Sequence, residues 1–246
     1  MSLNSLSLGT VVLRQTQYKL KAFIGVFSSL IVLQLLALLF SFNGTGMTGT
    51  GGAYWNASVT YYSSDIVIIF TMIWAFISSV LITTKAYRED DYVFIANRLS
   101  SNLSNIVFML MASALGAITA LLSGFLLKVA LYFLADTQSF EPGSAIGFGD
   151  YVSGFIATIL YILLFAALGY LVGTIAQIHR TLVILLPVLL IGSLFLVTIS
   201  ESQLIINLGE FYIMESSFVF FLFKFIGTIV LTLVGAVIIS NKREVR

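Results

Sequence analysis

The chain carries few groups able to do chemistry. Its 246 residues include 12 Lys and Arg, 11 Asp and Glu, one His and no Cys. Without cysteine there is no disulfide, thiolate metal site, iron–sulfur ligation or cysteine nucleophile. The single histidine, His179, excludes a multi-histidine metal centre within the chain. Beside Arg180 it reads as a polar boundary between two apolar runs. Intramembrane proteolysis needs a Ser–His pair, a His-Glu-x-x-His helix or two embedded aspartates. None is expected here, because the acids cluster between the apolar runs. No Gly-rich loop ends in Gly-Lys-Ser/Thr, so the chain has no nucleotide-binding loop of its own. A net charge of +1 provides no basic field for nucleic acid.

Three charged features remain. The acidic triplet Glu89, Asp90 and Asp91 suits a helix N-terminus, where carboxylates complement the dipole and cap free N–H groups. Tyr92, Ile95, Leu99 and Leu103 follow at helical spacing as one apolar stripe, and Arg98 lies towards the far end. The spacing predicts a short amphipathic helix. Its acidic start is ill suited to an anionic lipid surface and better suited to docking a soluble protein. The triplet also resembles half of a diphosphate–metal motif, but no second acidic cluster faces it from the same side, so no metal site is expected. The other two features are Lys128 and Lys224, each inside an apolar run near one end. Both can snorkel to the surface or pair with Asp136, Glu141, Glu210 or Glu215. Alternatively they line a path for an anionic substrate or lipid headgroup.

The elements that position these residues follow from composition. The chain is 59% hydrophobic and 9% charged, with a mean hydropathy of +1.05. A soluble domain is about 25% charged, so the chain reads as an all-α integral membrane protein. About 20 apolar residues cross the hydrocarbon as a helix. Six stretches qualify, at 22–42, 65–84, 106–134, 151–175, 182–200 and 218–240. Arg14, Lys19, Lys21, Lys85, Arg88, Arg98, Arg180, Lys242, Arg243 and Arg246 fall on one side, and the opposite loops carry acids without Lys or Arg. The positive-inside rule then puts both termini in the cytoplasm. The outer segment 43–64, rich in Gly, Thr and Ser, reads as a flexible loop. Segment 201–217 is half apolar and reads as a re-entrant or interfacial piece. Ala112, Gly116, Ala120 and Gly124 form a small-residue ridge in the third span. Gly169 and Gly173 make a GxxxG in the fourth, and Gly227 and Gly235 lie two turns apart in the last. Such ridges let helices approach closely. Pro187 predicts a kink in the fifth span.

This layout resembles the ABC-2-type permeases, the membrane subunits of ABC exporters with the type V fold. The resemblance rests on six spans with both termini inside and an N-terminal flank (1–21) holding Arg14, Lys19 and Lys21. It also rests on the amphipathic segment between spans two and three (85–105) and the semi-apolar insertion 201–217. It implies one permease domain over 1–246, with the flank as an interfacial elbow. It makes 85–105 a coupling helix in which Glu89, Asp90, Asp91, Tyr92, Ile95, Arg98, Leu99 and Leu103 contact a cytoplasmic ABC ATPase. ATP and Mg would be used by that partner, with no cofactor held by this chain. A second permease, identical or a sister chain, would complete the pathway in a bacterial plasma membrane. The implied cargo is hydrophobic or amphipathic, with an antimicrobial peptide as first choice. The alternatives are a secondary transporter or channel, which the lack of embedded acids disfavours, and a non-transporting scaffold or immunity protein.

Overall fold

The computed structural model describes residues 7–52, 55–89, 98–134, 147–178, 211–212, 215 and 217–241. Five described helices are long and apolar enough to cross a membrane. They are α2 (Ile24–Ser41), α3 (Asp65–Ile82), α5 (Arg98–Leu134), α6 (Phe148–Ala176) and α7 (Phe218–Asn241). Two further helices are α1 (Leu8–Ala22) and the single turn α4 (Lys85–Glu89). The fifth expected span at 182–200, with Pro187 and Arg180, lies outside the described residues.

Helix α3 is central, packing against α2, α5 and most extensively α6. Contacts fix the directions. Phe23 meets Phe108 and Gln34 meets the Gly116 carbonyl, so α2 and α5 are parallel. Tyr161 meets Phe225 and Leu171 lies beside Gly235, so α6 and α7 are parallel too. The main core, where α2, α3, α5 and α6 meet, is built on Phe23, Trp74, Phe108, Ile162 and Tyr170.

Polarity is arranged inside out. Large apolar side chains face outward, among them Leu39 (62% exposed), Phe223 (72%) and Leu231 (74%). Polar side chains such as Gln34, Thr71 and Ser113 are buried between helices. Water would punish that arrangement, whereas lipid favours it, because helices there associate through packing and hydrogen bonds. Gln34 Nε2 donates to Thr71 Oγ1 at 3.0 Å and the Gly116 carbonyl at 3.3 Å, joining α2, α3 and α5. The Trp74 indole donates to the Val26 carbonyl at 3.2 Å and to Ser29 Oγ at 3.0 Å. The fold is that of a helical multi-pass membrane protein.

Three sequence expectations need correction. The 43–64 loop contains an antiparallel hairpin, β1 (Gly46–Gly52) with β2 (Trp55–Tyr61), in register from Gly46 opposite Tyr61 to Gly52 opposite Trp55. Glycine-rich strands have poor β propensity, and β1 lacks the alternation that signals a strand. Entry requires Gly44 at φ +84, where a Cβ would lie 2.5 Å from Thr60 Cγ2.

The second correction concerns the segment before span three. Arg98, Leu99 and Leu103 belong to the first turns of α5, which runs unbroken for 37 residues. At 1.5 Å per residue it is about 55 Å long, well beyond a hydrocarbon core of about 30 Å. Arg98 therefore lies in a helix that runs on to Leu134 rather than near the end of a short one, and Glu89 lies in α4, which begins at Lys85, rather than opening a helix. The serines and asparagines of 100–105 stay helical because tertiary partners bury them. The third correction is small: among the described residues nothing lies within 4 Å of a Cβ placed on Gly227, so none of the described helices approaches it closely.

Candidate functional site

Two polar clusters stand at opposite ends of the bundle, each built around a lysine. The first begins in α1. Ser7 caps this helix, its Oγ accepting from the Thr10 amide at 3.4 Å, and Lys19 and Lys21 lie in the last turn, where cations oppose the dipole. Its buried residues are Val12, Gln15, Thr16 and Lys19, at i, i+3, i+4 and i+7, and they face the first turns of α5. Leu8 and Leu13 point outward.

Lys19 is 1% exposed. Its ammonium donates to Ser104 Oγ at 2.8 Å and to Asn105 Oδ1 at 2.5 Å. Asn105 Nδ2 donates to the Tyr170 hydroxyl at 3.3 Å, and that hydroxyl donates to Asn102 Oδ1 at 2.8 Å. Ser240 Oγ donates to the same oxygen at 3.3 Å. Lys19 fixes the direction of the first of these bonds. An ammonium only donates, so Asn105 must turn its oxygen to Lys19 and its nitrogen to Tyr170. The tyrosine, having accepted, passes its own hydrogen to Asn102. One cation thus orients a chain of side chains through α1, α5, α6 and α7. Alongside it, Arg98 Nη1 donates to the Asn241 carbonyl at 3.3 Å, joining the start of α5 to the end of α7.

Two amides in this cluster are incompletely paired. Neither amide atom of the fully buried Gln15 has a hydrogen-bond partner, nor has Asn102 Nδ2. Each such group costs about 1–3 kcal/mol relative to its hydrated state.

The second cluster closes the hairpin end of α6 and α7. The Lys224 ammonium pairs with the Glu215 carboxylate, with the two side chains 27% and 20% exposed. It also lies 4.2 Å from the centroid of the Phe211 ring, a cation–π contact, and donates to the Phe211 carbonyl at 3.4 Å. The Tyr161 hydroxyl donates to the Tyr212 carbonyl at 2.9 Å, and the Tyr212 and Thr228 hydroxyls are 3.1 Å apart. Tyr161 and Phe225 pack edge to face at 4.6 Å. Aromatic contacts of this geometry add about 0.5–1.5 kcal/mol beyond burial. Phe211, Tyr212 and Glu215 are thereby fastened onto α6 and α7.

Lys128 differs from both. It is exposed on α5, 5.9 Å from the Phe125 ring centroid. The small residues sit along α3. A Cβ on Gly116 would lie 3.0 Å from Thr71 Cγ2, and one on Gly124 would lie 2.8 Å from Ser64 Oγ. Ala112 and Ala120, on the same ridge, are buried. On α6, a Cβ on Gly169 would stand 2.3 Å from the Phe76 carbonyl oxygen, and one on Gly173 would stand 2.4 Å from Thr83 Oγ1. These two glycines set the α3–α6 spacing.

Of the expected coupling residues, Asp90, Asp91, Tyr92 and Ile95 lie outside the described residues, as does the side chain of Glu89. Leu99 is 42% exposed at the start of α5 and Leu103 is half-buried one turn on. Among the described residues no three His, Asp or Glu side chains gather as metal ligands. Sequence reasoning missed Gln15, Asn102, Asn105 and Tyr170. The available signal was the helical spacing of Gln15 with Lys19 and of Asn102 with Asn105, which continues into Met109 and Ala112. Compared with known protein families, curated proteins and solved structures, the chain matches none.

Proposed function

We propose that this chain is the permease subunit of an ATP-driven exporter of the ABC-2 type, working with a separate ATPase and a second permease. The observation that carries the reading is the meeting of α1, α4 and the start of α5 at one end of the bundle. There Phe23, at the junction of α1 and α2, packs edge-on against Tyr87 of α4 at 4.7 Å and Phe108 of α5 at 5.8 Å, while Lys19 holds Ser104. An N-terminal helix fixed beside the connection between the second and third spans is the arrangement a soluble motor needs to move both. Two further features support it. Because α6 and α7 are parallel neighbours, the chain between them has to link opposite ends of the bundle, which favours a sixth span at 182–200. The fastening of Phe211, Tyr212 and Glu215 to α6 and α7 favours a semi-apolar outer insertion. Both termini and the 85–105 segment would then face the cytoplasm.

The test is copurification and transport. Leu99→Asp with Tyr92→Ala should abolish association with the ATPase, or uncouple its hydrolysis from export, while the spans insert normally. Apolar anchors at such interfaces cost about 2 kcal/mol or more when removed. A double variant that inserts, keeps its ATPase and still exports would overturn the coupling role. Labelling of position 98 from outside the cell would overturn the orientation with it.

A further inference from the structure

The main core encloses a small cavity where α2, α3, α5 and α6 converge. Val26 of α2 and Ala166 of α6 close two sides, and residues of α3 and α5 form the rest; every lining side chain is buried. About 10 Å³ of it is open to the centre of a water molecule, which is room for one. Most of the lining is apolar. The polar side chains that border it are Trp74, Ser78 and Ser79 on α3 and Ser113 on α5.

Ser113 is 1% exposed, and its hydroxyl has no hydrogen-bond partner. That is not the habit of α5. Ser104, Thr119 and Ser123 each donate to a carbonyl three or four residues back, the usual outlet for a hydroxyl on a helix. Nor can Trp74 serve Ser113, because its one N–H is committed to the Val26 carbonyl and Ser29. A buried hydroxyl left unpaired is destabilising, and the remedy must be small, neutral and able both to donate and to accept. No acidic side chain lines the cavity to hold a cation, and its size excludes an organic ligand.

We propose that one structural water occupies this cavity, bonded to the Ser113 hydroxyl of α5 and shared with Ser78 and Ser79 of α3. Three hydroxyls around one site supply the two to four polar partners that retain a buried water. Thr71 and Ser78 are seven residues apart and so share a face of α3. At Thr71 the helices are tied directly through Gln34, and at Ser78 the water makes the tie between α3 and α5. This concerns the core alone and holds whether or not the chain exports anything.

X-ray radiolytic labelling in water enriched in heavy oxygen tests the site, because radicals formed from a bound water oxidise the side chains beside it. Two phenylalanines make a matched pair. Phe108 lines the cavity and is 1% exposed, whereas Phe225, fully buried between α6 and α7, does not line it. In the full-length protein in bilayer vesicles, Phe108 should take up heavy oxygen and Phe225 should stay unlabelled. Ser113→Ala should slow labelling of Phe108 about fivefold, the factor for one net hydrogen bond. The double variant Ser78→Ala with Ser79→Ala should slow it at least as much. Alanine is the best helix former, so these variants should insert as the parent does. Phe108 labelled no faster than Phe225 would overturn the water. Labelling of Phe108 unchanged in Ser113→Ala would overturn the anchor on α5, and labelling unchanged in the double variant would overturn the tie to α3.

Discussion

Lys19 and Lys224 occupy opposite ends of one bundle and are accommodated by opposite means. Lys224 meets a carboxylate nine residues away and an aromatic ring thirteen residues away, so its charge is answered locally. Lys19 meets Ser104 and Asn105, 85 and 86 residues away, and its charge is spread through a line of oriented amides and a phenol. An ion pair satisfies itself and stops. A donor-only cation also dictates which way the amide it meets must turn, and Asn105 passes that choice on to Tyr170. The first arrangement fastens a short segment, and the second ties together helices that are remote in sequence.

Helix α6 serves both clusters, since Tyr170 belongs to one and Tyr161 to the other. Gly169→Leu would drive a side chain into the Phe76 backbone and separate α6 from α3. It should cost about 3 kcal/mol, the upper part of the usual overpacking range, and weaken both ends together. Thermal unfolding in detergent checks this, and a loss confined to one end would show that the clusters do not share α6 as their base.

A smaller effect should distinguish the outer lysine. Lys224→Met leaves Glu215 without its partner and should cost about 1–2 kcal/mol, less than a fully buried pair because both side chains keep contact with the surroundings. Adding Glu215→Gln should recover most of that loss, since the penalty lies in the abandoned carboxylate. Recovery by less than half would mean that the aromatic contacts, not the charges, hold this end.

The smallest effect belongs to Lys128→Met. Exposed on α5, this residue should change stability by less than about 0.5 kcal/mol. A larger loss would place it in a contact resembling that of Lys224.

Much of this molecule was legible in its composition and periodicity. Long apolar runs with charges mostly between them determine membrane helices, because the hydrocarbon thickness sets their length and excludes unpaired polar backbone. The limits of α2, α3, α6 and α7 fall within a few residues of that reading. Spacing also marked Gly169 and Gly173 as sites of close approach, since only a missing side chain lets two backbones meet.

The sequence could not determine which polar residues turn inward. Helical spacing marks Leu99 and Leu103, but only the packing of α1, α6 and α7 shows that Asn102, Ser104 and Asn105 between and beyond them turn inward to buried partners. Lys19 counted in the sequence as one of several basic residues marking the inner side. Only the packing of α1 on α5 buries it and makes it the origin of a four-helix connection. The physical reason is common to both: a polar group's preference depends on whether a partner waits in the apolar phase. Such partners lie scores of residues away, where the chain's local pattern carries no record of them.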